Sequence, residues 1–180
     1  MDALIIDACR TPRGIGKAGK GALSDIHPQQ LGSTVLRAIA ERNNLKTGDV
    51  DDIVWGASSQ IAQQAGDLGR MSALDAGYDV RASGVTLDRF CGSGITAVNI
   101  AAAQIMAGQH DMTIGGGVES MSRVGIGASG GAWPVDPSIA IKAYFMPQGV
   151  SADLIATKYG FSRDDVDAYA VESQKRAARA

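Results

Sequence analysis

The amino-acid sequence predicts an α/β fold with a largely parallel sheet, and two observations predict it. Short apolar runs suited to buried strands alternate with stretches of helical periodicity through the first 120 residues. That alternation is the pattern of parallel strands joined by crossover helices. In addition, the helix expected from Gly94 is apolar on every side, with Ile95, Val98, Ala102 and Ile105 on one face and Ala97, Ile100, Ala101, Ala103 and Met106 on the others. Such a helix must be covered all round, whereas one sheet covers one side. About four short strands are expected in this chain, so a second covering layer from elsewhere is implied.

The elements follow in order. Ala3 to Ala8 is an apolar run read as a first strand. Arg10-Thr11-Pro12-Arg13-Gly14 ends it, and Gly14 to Gly21 reads as a loop. Pro28 is placed as a first helical residue, and Leu31, Val35, Ala38 and Ile39 recur at helical spacing up to Asn43-Asn44. Asp49 to Asp52 is a polar turn, and Ile53 to Gly56 is a second strand. Asp67 to Ala76 is a short helix with Leu68, Met71 and Leu74 inward and Gly77 as its stop. Gly84 to Asp88 is a third strand. Gly94 to Ala107 is the apolar helix, closed by Gly108. Met112 to Ile114 is a fourth strand that ends in Gly115-Gly116-Gly117. From Ser120 to Gln148, glycines and prolines break every period, as in a functional loop or linker. Val150 to Tyr159 is a helix stopped by Gly160. Ser162 with Asp165 makes a capping-box-like start to a last helix. Val166, Tyr169, Ala170, Ser173 and Ala177 mark its inward face, and Glu172 with Arg176 is a favourable i,i+4 pair. That helix reaches Ala180 without a stop signal, as if cut within a helix.

Composition narrows the function. The chain has 180 residues, 45% hydrophobic and 20% charged, which suits a soluble domain with a real core. A net charge of −2 builds no basic stripe for nucleic acid. Cys9 and Cys91 are too few for a disulfide framework, so a reducing, cytoplasmic location is expected. The start of the chain carries Asp2 and Asp7 and reads as no secretory signal. Phe90 to His110 lacks charged residues, but glycines and polar residues leave only about four turns of helix. A spanning helix needs about 20 apolar residues, so no membrane association is expected. Two histidines and two cysteines are scattered without ligand spacing, so no metal is expected.

The strongest chemical signal is Leu87-Asp88-Arg89-Phe90-Cys91-Gly92-Ser93-Gly94-Ile95. A strand ends, a cysteine occupies the turn, and two glycines open a helix. The amide groups and macrodipole of a helix N-terminus stabilise a thiolate, and amides at the same turn, that of Cys91 included, suit an oxyanion. Nucleophile elbows share this strand–nucleophile–helix logic. On these residues alone a second reading stands beside it, a buried structural cysteine. His27 precedes a helix start and His110 follows Gly108, so both are read as exposed or capping residues. Cys9 reads as a small core residue, Glu119 as a buried, hydrogen-bonded carboxylate, and Gly115-Gly116-Gly117 as tight backbone passage rather than a phosphate cradle.

Four stretches in order resemble the thiolase family: Asp7-Ala8-Cys9-Arg10-Thr11-Pro12, Cys91-Gly92-Ser93-Gly94, Gly115 through Ser122, and Ser162-Arg163-Asp164-Asp165 through Glu172-Ser173-Gln174. The resemblance implies a thiolase-like fold in which two α/β halves sandwich buried helices, this chain being the N-terminal half. It implies a nucleophile-bearing core domain over 1–120 and the beginning of a loop domain over 121–180. It implies that Cys91 is the acylated nucleophile of an acyl-CoA C-acyltransferase. Acyl-CoA and coenzyme A would be its substrates, with no permanently bound cofactor and a homodimeric or homotetrameric assembly. The histidine, asparagine and second cysteine of thiolases lie in the second half of a chain about twice this length, so these 180 residues alone are expected to be inactive. Met146-Pro147-Gln148-Gly149 matches a stretch that lines the acyl pocket, with Gln148 where Met is usual. That departs from a short-chain acetoacetyl pattern, the plain alternative being a solvent-facing Gln148. A ketoacyl-synthase-like condensing enzyme and a non-catalytic half-domain binding a partner or lipid are the alternatives.

Overall fold

The structure, a computed structural model, describes residues 2–180. Two compact units divide the chain, Met1–Gly130 and Gly131–Ala180.

The first unit is built on a three-stranded parallel sheet. In chain order it comprises α1 (Pro28–Arg42), β1 (Asp52–Gly56), α2 (Leu68–Asp75), β2 (Ser83–Leu87), α3 (Ser93–Met106) and β3 (Thr113–Gly117). The strand order is β2-β1-β3, with Val54 opposite Val85 on one side and Gly115 on the other. Every residue of the central strand β1 is buried, as expected of a strand covered on both faces. Its alternating side chains divide between two layers. Ile53 and Trp55 pack with Leu36 of α1, Ala73 of α2, and Val50, Tyr78 and Ala82. Val54 faces Ala97 and Ala101 of α3. The sheet is therefore sandwiched between α1 with α2 on one face and α3 on the other.

The local signals placed these elements well. Pro28 heads α1 and His27 caps it, accepting the Gln29 amide at Nδ1 (3.1 Å) in a capping box with Gln30. Asp67 caps α2. Gly77, Gly108 and Gly160 adopt the left-handed conformation after their helices. Asp51 accepts the amides of Met112 (3.0 Å) and Asp111 (2.8 Å), which tie the start of β3 beside β1 and hold its carboxyl below the usual range.

Four expectations are corrected. Residues 3–8 form no strand, and Leu4, Ile5 and Ile6 are exposed. The segment is held instead through Asp7 to Arg42 (2.9 Å) and Asn43 (2.8 Å). An apolar run expresses a preference for burial, but a strand requires a neighbouring ladder, and residues 3–8 pair with none of the three strands β2-β1-β3. The glycine triplet lies inside β3 rather than after it, because a Cβ at Gly116 would stand 2.4 Å from the Trp55 ring. Met71 and Leu74 are more than a third exposed. Helix α2 instead turns Leu68, Gly69, Ser72 and Ala73 inward, and the Ser72 hydroxyl reaches the Gln29 carbonyl at 3.3 Å. The fourth concerns the last helix of the second unit.

That unit contains α4 (Pro137–Lys142), α5 (Gln148–Tyr159) and α6 (Arg163–Arg179). Helix α4 falls within the stretch read as irregular, with Asp136 as its cap and Pro137 at its start. Helix α6 begins with the expected Ser162–Asp165 capping box and carries the Glu172–Arg176 pair at 2.9 Å. Its expected inward face is exposed, because no residue after Gly130 is buried and the face has no core to enter.

Tyr78 offers a test of the first unit's core. Its hydroxyl donates to the Leu36 carbonyl at 2.9 Å, and burial pushes its pKa up to about 12. The neutral form is thus favoured by folding, so stability is flat with pH below the ordinary tyrosine value of about 10 and falls between about 10 and 12. Thermal melts from pH 8 to 11 should show that decline in the wild-type protein and a weaker one in Tyr78→Phe. Equal slopes would place the alkaline titration elsewhere.

Candidate active site at Cys91

The end of β2 and the start of α3 are separated by five residues, Asp88 to Gly92, and Cys91 occupies the tip of two overlapping turns. The Arg89 carbonyl accepts the Gly92 amide (3.0 Å), and the Phe90 carbonyl accepts the Ser93 amide (3.1 Å). Asp88 Oδ1 accepts the Phe90 amide at 2.7 Å. Phe90 is left-handed, at φ 48°, an uncommon state for a bulky residue. The Cys91 side chain is exposed and unpaired. Within this chain the thiol is therefore not a buried core group.

Helix α3 begins at Ser93, immediately after Gly92 as its N-cap. Amides in a first helical turn have no acceptor within the helix, and the macrodipole places partial positive charge there. The thiol therefore lies beside a set of donors suited to an anion.

The ends of the three strands support this turn. Ala57 N donates to the Leu87 carbonyl and Val118 N to the Gly56 carbonyl, each at 3.0 Å. Gly56 lies directly beneath the helix start: a Cβ there would meet the Ser93 carbonyl carbon at 2.6 Å and the Gly94 nitrogen at 2.7 Å. Nearby in sequence to β3, Glu119 accepts the Ser58 amide (2.7 Å), the Ser59 amide (3.4 Å) and Gln64 Nε2 (2.7 Å). Gln64 is completely buried, and its Oε1 accepts the Ser120 amide at 2.7 Å. Glu119 is hydrogen-bonded as expected but exposed rather than buried, since its donors come from the 58–64 loop and leave the rest of the carboxylate open.

His27 caps α1, and His110 is partly buried in the turn after α3. Among the described residues no hydrogen bond joins Cys91 to a histidine, and no group of three or more His, Cys, Asp and Glu could hold a metal ion. Cys9 is partly buried and its thiol donates to the Val35 carbonyl at 3.4 Å. Gln148 belongs to the second unit, where it is the exposed first residue of α5 after Pro147. It follows an apolar hollow lined by Ala140, Ile141, Tyr144, Phe145 and Met146. Trp133 meets Phe145 edge-on at 4.8 Å. Among the described residues no helix is long and apolar enough to cross a membrane.

Sequence reasoning reached Cys91 through its neighbours along the chain. It missed Ser93, Gly56 and Gln64 as supporting residues. Ser93 was legible in part, as a short polar residue at a helix start.

Comparison with known proteins gives a consistent result. The family described as thiolase, N-terminal domain, matches residues 3–180. The chain is 36% identical to a 3-ketoacyl-CoA thiolase of Bacillus subtilis over 181 residues, covering 99% of this chain and 45% of that protein. It is 36% identical to a steroid 3-ketoacyl-CoA thiolase of Mycobacterium tuberculosis over 187 residues, covering 98% and 45%. Among solved structures it resembles the Bacillus anthracis acetyl-CoA acetyltransferase with a TM-score of 0.62 and 34% identity, covering 68% of this chain and 30% of that one. The chain spans a little under half the length of the curated relatives it matches.

Proposed function

Because this chain belongs to the thiolase family, matched over residues 3–180, we propose that it carries the nucleophile of an acyl-CoA C-acyltransferase and that Cys91 is that nucleophile. One observation carries the reading: an exposed thiol on the tip of a strand–turn–helix, at the N-terminus of α3. In the degradative direction the Cys91 thiolate attacks the 3-keto carbon of a 3-ketoacyl-CoA. The bond between C2 and C3 breaks, acetyl-CoA leaves as its enolate, and the enolate takes a proton at C2. The acyl group is then a thioester on Cys91. A second coenzyme A, losing its thiol proton, attacks that thioester and restores the Cys91 thiolate. Synthesis is the reverse. Passing through a covalent intermediate divides one difficult step into two easier ones.

The proton transfers need an acid and a base. On this reading they come from a further half of the polypeptide, because neither His27 nor His110 is hydrogen-bonded to Cys91. Residues 1–120 would form the core domain of the nucleophile and 121–180 the beginning of a loop domain over the substrate. Coenzyme A thioesters are then the substrates, no cofactor is bound permanently, and the enzyme works as a cytoplasmic homo-oligomer. The test is coenzyme-A-dependent cleavage of a 3-ketoacyl-CoA series by the complete polypeptide. No cleavage at any chain length overturns the proposal.

Gln148 bears on chain length in this reading. It follows the apolar hollow of the second unit and replaces the methionine usual at that place in the family. One methylene in an acyl pocket is worth about 1–3 kcal/mol. Gln148→Met should therefore shift the ratio of kcat/KM between short and longer 3-ketoacyl-CoAs by roughly tenfold or more. An unchanged ratio would place Gln148 outside the pocket.

A further inference from the structure

The Ser93 side chain is used on both sides of Phe90. Its Oγ accepts the Arg89 amide at 2.8 Å and donates to the Phe90 carbonyl at 2.6 Å. It is buried, 4% exposed, at the first position of α3. Both bonds lie within the nucleophile turn. A hydroxyl capping a helix would instead accept amides from the helix itself.

The geometry points to Ser93 as a positioning residue that holds the Phe90–Cys91 peptide in the one orientation that leaves the Cys91 amide free to receive an oxyanion. This rests on the acyltransferase reading above. The backbone of Phe90 is defined by the two peptide planes that flank it. Asp88 fixes the first through the Phe90 amide, and Ser93 fixes the second through the Phe90 carbonyl. Phe90, with an aromatic side chain 62% exposed and φ at 48°, relaxes to negative φ unless its surroundings over-determine it. The consequence for Cys91 follows from peptide planarity. In a trans peptide the carbonyl oxygen and the following N–H point in opposite directions. With the Phe90 oxygen tied toward the Ser93 hydroxyl, the Cys91 N–H is aimed away from it. None of the turn's hydrogen bonds described above uses that N–H. A free, fixed donor beside a nucleophile stabilises charge that develops on the attacked carbonyl. Without the Ser93 hydroxyl the Phe90 carbonyl keeps only the Ser93 amide and the Arg89 amide loses its acceptor, so the turn is less firmly fixed and the shared alignment of thiol and amide weakens.

The experiment is a mutant cycle on the complete polypeptide. Ser93→Ala, Ser93→Thr, Phe90→Gly and the Phe90→Gly/Ser93→Ala pair are each assayed for kcat and KM of thiolysis. The rate of Cys91 alkylation by iodoacetamide is measured in parallel at one pH. Ser93→Ala should lower kcat by roughly ten- to a hundredfold with KM changed by less than about threefold, since an oxyanion donor acts on the transition state. Ser93→Thr, which keeps the hydroxyl, should recover most of the loss. Glycine adopts positive φ without penalty, so the cost of Ser93→Ala should shrink by at least about threefold in the Phe90→Gly background. Equal losses in both backgrounds, or a loss confined to KM, overturn the proposal. Absent thiolysis with intact coupling in alkylation would defeat the acyltransferase reading and leave the role of Ser93 standing. If Ser93→Ala does not fold, a crystal structure of the complete protein decides: Phe90 at negative φ, or its carbonyl beyond reach of Ser93 Oγ, overturns the assignment.

Discussion

Cys91→Ser removes nearly all turnover from the complete polypeptide, by roughly a thousandfold or more, while the thermal midpoint stays close to that of the wild type. The two side chains differ little in volume, and this one is exposed, so packing is unaffected. The chemistry is not equivalent. The thiolate is the species that attacks, and a serine hydroxyl does not ionise near neutral pH without a strong base. Phe90, Gly92 and Ser93 hold the turn through backbone bonds and the Ser93 side chain, all unaffected by the exchange. Incubating the wild-type protein with a 3-ketoacyl-CoA, quenching in acid and mapping the adduct by mass spectrometry should find the acyl group on Cys91. An adduct on Cys9, or on neither cysteine, would sink the assignment. Cys9 is the internal control, with its thiol partly buried and directed at the Val35 carbonyl.

Gly56→Ala should be damaging to both stability and turnover, because its clash falls on the start of α3. The added methyl would lie 2.6–2.7 Å from the Ser93 carbonyl carbon and oxygen and the Gly94 nitrogen, all backbone atoms of the α3 N-terminus. No rotamer change relieves a clash with backbone, so either α3 or the end of β1 must move. Overpacking of a core costs about 1–3 kcal/mol, and contact with backbone alone places this change at the upper end. Because α3 begins one residue after the Cys91–Gly92 pair, the same displacement carries the thiol with it. Stability and kcat should therefore fall together. Gly125→Ala serves as the control, since a Cβ there meets nothing within 4 Å. Denaturant melts and thiolysis rates of the two variants check this, and a Gly56→Ala protein with wild-type values would show that the strand and helix are not in the described contact.

The residues made part of this architecture legible and left another part silent. Pro28, Asp67, Ser162 and the glycines after three helices act within a turn or so of the chain, so the helices they bound were readable from spacing. The alternation of β1 between two layers was implicit in its continuous apolar run. Leu4 to Ile6 carry the same apolar signal without becoming a strand, because pairing depends on a neighbour that the run itself does not specify. The inward face expected for α6 failed in the same way: its periodicity is real, but the second unit has no buried core for it to meet.

At the site the division is similar. By itself the sequence determined that a cysteine sits between a strand and a helix with glycine beside it, because that arrangement lies within nine consecutive residues, Leu87 to Ile95. Its resemblance to thiolases followed from stretches read in order along the chain. Only the tertiary structure decided that the thiol is exposed, that Phe90 is left-handed under a Ser93 strap, and that Gly56 must lack a side chain. It alone joined Gln64 to Glu119, across 55 positions. Periodicity and capping are local and are written in neighbouring residues. Close approach, strain and long-range hydrogen bonds arise only when β1, β3 and α3 are packed together, and no spacing along the chain encodes them.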